Sequence, residues 1–151
     1  MIDGLTIRRG KEEDFESVYE IETTCYDYPW GNGEFYDDFV WNRRGYWIVA
    51  EIDNQIVGFA GIWFKFGEFH IVNLAVLPEK RGLGIGRALV SELIAFAKES
   101  KGRYIFLEVE DDNTKAISLY KGFGFRVIRR IEGYYAENDK SALLMIKELN
   151  K

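Results

Sequence analysis

The stretch Val76-Leu77-Pro78-Glu79-Lys80-Arg81-Gly82-Leu83-Gly84-Ile85-Gly86-Arg87 decides how the rest of the chain is read. It follows residues 70–76, an apolar run that reads as a strand. It opens residues 85–101, in which Ala88, Leu89, Leu93, Phe96 and Ala97 recur at helical spacing. A glycine-rich passage from strand to helix is a ready anion site. The first helical turn has amides without intrahelical acceptors and the positive end of the helix dipole, and glycines let the backbone come close to phosphate oxygens. Lys80, Arg81 and Arg87 add positive charge in a chain whose net charge is −5.

Three ligand patterns compete for this loop. Gly82-x-Gly84-x-Gly86 looks like part of the dinucleotide fingerprint G-x-G-x-x-G, and Glu108 lies about where a ribose-binding acid would. The spacing excludes it: Arg87 stands where the third glycine belongs, and residues 77–81 separate the strand from the first glycine. A P-loop needs G-x-x-x-x-G-K-[ST], and no such string occurs. The third pattern, Arg-x-x-Gly-x-Gly, is matched in full by residues 81–86. A glycine-rich turn without a ligand is the remaining reading.

Outward from the loop, the pattern predicts an α/β fold. Residues 6–9 read as a first strand, 11–24 as a helix, 26–33 as a loop with Pro29 and two glycines, and 34–43 as a second short helix. Residues 46–51, 56–66 and 70–76 form a meander joined by tight turns, which makes this part of the sheet antiparallel. Beyond the loop and its helix, residues 104–109 are apolar on both faces, as in a central strand covered on both sides. A short helix at 114–120 and strands at 126–131 and 142–148 complete a mixed, mostly antiparallel sheet with about four helices.

At 151 residues the chain is one domain. One Cys and one His exclude a disulfide framework, a Cys-rich zinc site and any metal site needing two histidines. No signal peptide is evident, and the apolar run 56–66 is too short to span a bilayer. An acidic chain with a pI of about 5.0 argues against general nucleic-acid binding. The expectation is a cytoplasmic protein without membrane or nucleic-acid partners, a monomer or weak dimer.

With these motifs in place, the sequence resembles the GNAT superfamily of acetyl-CoA-dependent N-acetyltransferases, and within it the RimI-like protein N-terminal α-amine acetyltransferases. Supporting segments are Asn73-Leu74-Ala75-Val76 before the loop, Leu107-Glu108-Val109 with Asn113, then Ala116-Ile117-x-Leu119-Tyr120 and Gly124-Phe125. Tyr134-Tyr135 and Pro29-Trp30 complete the set. The resemblance implies transfer of the acetyl group of acetyl-CoA to protein N-termini, ribosomal-protein alanine among them, by direct attack in a ternary complex without a metal. A small-molecule amine acetyltransferase and a non-catalytic acetyl-CoA-binding module are the alternatives. It further implies that Arg81, Gly82, Leu83, Gly84, Ile85, Gly86 and Arg87 hold the pyrophosphate. Leu74, Ala75, Val76 and Asn113 would bond the pantetheine, with amides near Leu74 as oxyanion donors. Tyr28, Pro29, Trp30, Tyr134 and Tyr135 would line the substrate groove. RimI-like chains also carry a Glu-Asp pair just before the last strand, where this chain has Lys140-Ser141.

Acetyl transfer to an amine needs a base for the amine and benefits from an acid for the leaving thiolate. Glu108 ends the central strand, where α/β sheets bind ligands, and is the candidate base; a solvated strand-end acid is the alternative. In the family the tyrosine matching Tyr120 points at the cofactor sulfur and serves as the acid. His70 stands where related enzymes place a second acid/base group. Cys25 reads as a buried helix cysteine.

Overall fold

The computed structural model describes residues 2–135, 137 and 139–149. It is a single α/β domain built on one seven-stranded sheet of order β1-β2-β3-β4-β5-β7-β6. The strands are β1 (Leu5–Arg9), β2 (Gly45–Ile52), β3 (Gln55–Lys65), β4 (Glu68–Val76), β5 (Tyr104–Glu110), β6 (Arg126–Tyr135) and β7 (Lys140–Glu148), and the helices are α1 (Phe15–Cys25), α2 (Asn32–Trp41), α3 (Ile85–Glu99) and α4 (Thr114–Gly122). β1 to β4 form the antiparallel meander that the turn residues require.

Two cores form on opposite faces of the meander. Leu89, Val90, Leu93 and Ala97 of α3 pack on Ile48, Ala50, Ile62 and Ile105. On the other face Val18 and Ile21 of α1 and Phe35 and Phe39 of α2 pack on Trp47, Val49 and Phe59. The apolar spacing of α3 places its fully buried stripe on the sheet, as an amphipathic helix must. Helix α1 begins later than its periodicity suggests. Residues Glu12–Asp14 form a 3-10 turn first, because the Asp14 carboxylate accepts the Lys11 amide and two guanidinium hydrogen bonds from Arg8.

Three features position the site. β4 and β5 pair in parallel only from Glu68 with Tyr104 to His70 with Phe106, and no pairing follows. Beyond that point the two strands part, and a cleft opens between them. β4 also carries an irregularity opposite Gly61 and Ile62, where Gly61 pairs with Asn73 and Ile62 with Ile71, leaving Val72 as the extra residue. Finally, β5 is covered on one face only. Ile105, Leu107 and Val109 are buried, whereas Tyr104, Phe106, Glu108 and Glu110 are half-buried. The expectation of two covered faces fails because α1 and α2 pack on β2, β3 and β4. β6 extends past the expected residue 131, so Tyr134 and Tyr135 belong to a strand paired with β7.

Candidate active site

The cleft between the parted strands has a volume of about 550 Å³ and is lined by residues of β4, β5, α1, α4 and the loop before α2. Glu108 lies on its β5 wall. Its Oε1 is 2.7 Å from Nε2 of His70, the last β4 residue paired with β5. Parallel register explains the contact: His70 stands opposite Phe106, and Glu108 is the next residue of β5 on the same face. The imidazole stacks on Phe106 with centroids 4.3 Å apart and meets the Trp63 ring nearly at right angles. His70 does not line the cleft itself; it sits behind Glu108. The Tyr134 hydroxyl is raised above its ordinary pKa by burial, then by the charge and hydrogen bonding of Glu108.

Tyr120 of α4 is buried, rests against Phe125 and lines the cleft. Burial pushes its phenol well above the ordinary tyrosine range. Burial disfavours the phenolate, so the hydroxyl is protonated at neutral pH and can donate a hydrogen bond.

The edge of β4 that faces the cleft is occupied by side chains. The Leu74 amide donates to Asn73 Oδ1 at 2.9 Å, and the Leu74 carbonyl accepts from the Tyr26 hydroxyl. The Val76 carbonyl accepts from Arg81 Nε at 3.0 Å and from the Cys25 thiol at 3.5 Å. These contacts add to the expectations for Leu74 and Arg81 and correct that for Cys25, which is not fully buried. The Leu74 amide is held by the Asn73 side chain. Arg81 folds back onto β4, and its guanidinium also reaches Cys25 Sγ at 3.4 Å. Cys25 is half-buried at the end of α1, beside Arg81, with its thiol pushed up by burial. Ala75 is buried in the core cluster with Val18 and Ile21 of α1.

The glycine loop has the form the sequence predicts. Gly82 and Gly84 adopt φ of +80° and +93°, and a Cβ at either would meet no atom within 4 Å. Gly84 caps α3, whose first backbone bond runs from the Ala88 amide to the Gly84 carbonyl. The amides of Ile85, Gly86 and Arg87 thus lack backbone acceptors among the described residues. Leu83 is exposed between the two glycines. Arg87 lies over the Phe123 ring and, with Lys115 and Thr114, borders a second hollow of about 420 Å³ between α3 and α4. Asn113 caps α4, its Oδ1 accepting from the Ala116 amide, and it lines the cleft.

On the opposite wall, Tyr28 and Trp30 line the cleft, while Pro29 does not. Trp30 packs edge-on against Trp47 and touches Phe35 and Trp63. Tyr135 lines the cleft, and Tyr134 approaches it through Glu108. Where the RimI-like acidic pair would stand, Lys140 instead reaches Glu110 at 3.1 Å and Asp112 at 3.2 Å.

Sequence reasoning missed Glu22, Tyr26 and Lys115. Glu22 is 1% exposed, yet its side chain borders the cleft. It accepts from the Trp30 amide at 3.0 Å and from Asn73 Nδ2 at 2.9 Å, and burial raises its pKa against both bonds. A charged residue on the apolar stripe of a helix was the available signal, since Glu22 adjoins Ile21 and lies four residues beyond Val18.

The cleft, the parted parallel strands and the glycine loop together define an acyltransferase fold of one kind. Residues 15–125 match the Acetyltransferase (GNAT) family, and the chain belongs to that family. Among its relatives is the [ribosomal protein bS18]-alanine N-acetyltransferase of Haemophilus influenzae, 33% identical over 81% of this chain and 82% of the relative. The N-alpha-acetyltransferase RimI of Mycobacterium tuberculosis is 29% identical, over 95% and 92%. The crystal structure of the ribosomal-protein-S18-alanine N-acetyltransferase from Escherichia coli superposes with a TM-score of 0.90 at 26% identity, covering 97% of this chain and 95% of that one. No helix among the described residues is long and apolar enough to cross a membrane.

Proposed function

We propose that the protein transfers the acetyl group of acetyl-CoA to the α-amine of protein N-termini, a ribosomal protein among its substrates, in the cytoplasm. The observation that carries this reading is Glu108 on the cleft wall, bonded from behind by His70, with the Tyr120 hydroxyl on the same cleft. The names of the relatives agree with it.

Each residue has a task in this account. Glu108 takes a proton from the attacking amine, and His70 donates the hydrogen bond that holds the carboxylate or passes the proton outward. Tyr120 protonates the departing sulfur. Asn73 Oδ1 orients the Leu74 amide, whose N–H also donates to the developing oxyanion. The open glycines and free amides at the start of α3 hold the pyrophosphate, with Arg81 and Arg87 supplying charge. Acetyl-CoA supplies the thioester, and Tyr28, Trp30, Tyr134 and Tyr135 form the groove for the acceptor peptide.

The choice of amine follows from magnitudes. An α-amine has a pKa near 8 and a lysine amine near 10.4, so deprotonation at pH 7 costs about 1.4 and about 4.6 kcal/mol respectively. A single carboxylate base meets the first cost far more easily. The test is thiol release from acetyl-CoA with peptides varied at the first residue, beside an N-terminally blocked, lysine-containing peptide. Turnover on the free N-termini alone is expected. Turnover on the blocked peptide, or on none, overturns the reading.

A further inference from the structure

The most deeply buried acid of the chain takes no part in the chemistry described above. Glu22 uses its two carboxylate oxygens for two different walls. Oε2 accepts the backbone amide of Trp30, in the loop that borders the acceptor side of the cleft. Oε1 accepts Nδ2 of Asn73, on the bulged part of β4, and Asn73 Oδ1 in turn accepts the Leu74 amide. Among the described residues no lysine or arginine pairs with the carboxylate. A buried carboxylate without a cation is costly unless its lone pairs are satisfied by donors, and here both oxygens are engaged by uncharged ones. The side chain lies between the Trp30 loop and β4, two segments that share no strand pairing.

We propose that Glu22 is a positioning residue that ties the Trp30 loop to the Leu74 amide, so that the peptide side and the thioester side of the cleft are set by one carboxylate. The proposal deepens the N-terminal acetyltransferase reading and rests on it for the roles of the two walls. Polarity makes it testable. Glu22 accepts from both neighbours, whereas a glutamine has one accepting and one donating end. Glu22→Gln must therefore give up either Trp30 or Asn73. In Glu22→Gln with Asn73→Asp, the glutamine oxygen accepts from Trp30. Its amide donates to one oxygen of the carboxylate introduced at position 73, and the other oxygen still accepts from Leu74. That pair of substitutions reverses one hydrogen bond and keeps the chain of contacts and the net charge.

The experiment measures three quantities in the intact chain: hydrogen exchange of the Leu74 amide, peptide KM and kcat by thiol release, and Tm. For Glu22→Gln the expectation is about tenfold faster Leu74 exchange relative to its neighbours and a rise in peptide KM of about tenfold, larger than the fall in kcat. Asn73→Asp, which sets two carboxylates against each other, is expected to be worse. The double variant returns both the exchange rate and KM to within about threefold of wild type. A merely structural carboxylate would lower Tm and leave KM in place, and that outcome overturns the proposal. So does a double variant no better than the sum of its parts, or one that fails to fold. Amide exchange needs no substrate. Absence of peptide turnover in the wild-type chain therefore sinks the enzymatic reading and leaves the Glu22 bridge to be judged by exchange alone.

Discussion

The glycine loop and the cleft are built by different means. The loop is made of backbone: Gly82 and Gly84 at positive φ with empty space around them, and amides at the start of α3. The cleft is walled and backed by side chains that bond across the sequence, Glu22 to Asn73, Tyr26 to Leu74 and His70 to Glu108. Glycine illustrates the contrast. A Cβ on Gly84 would meet nothing, whereas a Cβ on Gly61 would lie 2.3 Å from the Trp47 ring. One glycine faces open space, and the other leaves room for the protein itself. The loop is open and local, and the cleft wall is packed and assembled from distant residues.

Substitutions can break or sharpen this contrast. The largest effect is expected at the side-chain wall: Glu108→Gln lowers kcat about 100-fold at pH 7 with acetyl-CoA affinity kept. Steady-state kinetics with calorimetry checks it, and unchanged turnover removes Glu108 from the mechanism. Gly61→Ala should destabilise by about 1–3 kcal/mol, because Trp47 is 2% exposed and has nowhere to go. Urea unfolding reads this directly. Gly84→Ala should cost about 1–2 kcal/mol for its left-handed backbone and should weaken acetyl-CoA binding as well, which Gly61→Ala acts on only through folding. Equal losses of affinity at the two positions would erase the distinction.

A pH series tests the anchor of α1. Hydrogen bonds from Arg8 hold the Asp14 carboxyl below its ordinary value. A depressed acid pKa stabilises the fold above the unfolded value, about 3.9, and the contribution is lost as pH falls through the native one. Asp14→Asn should therefore cost about 1.5–3 kcal/mol at pH 7, and its gap from wild type should narrow below about pH 3.9. The smallest effect is expected for Arg81→Ala, a loss of acetyl-CoA affinity greater at low salt than at high salt. A loss independent of salt would assign Arg81 to bracing Val76 and Cys25 alone.

The legible parts of the molecule were those encoded locally. The glycine loop, the stripe of α3 and the meander follow from spacing within single segments, so most of the fold and the glycine loop could be read from residues 46–101. Glu108, Tyr120 and His70 could be named as candidates, but the bond between His70 and Glu108 depends on a parallel register set by the crossover through α3. The engagement of the Leu74 amide by Asn73, the turn of Arg81 toward β4 and the burial of Glu22 depend on contacts with α1 or on the β4 bulge. Periodicity carries no record of such contacts. Residues 104–109 misled for a related reason: an apolar outer face at Tyr104 and Phe106 looked like a covered one, and it proved to be the stacking partner of His70 beside an open cleft.

The most direct measurement is the site of the acetyl group on a peptide that carries both a free N-terminus and an internal lysine. Tandem mass spectrometry after reaction with acetyl-CoA should find the label on the N-terminal α-amine, with Glu108→Gln slowing its appearance about 100-fold. Label on the lysine side chain, or equal rates for the two proteins, would contradict the account.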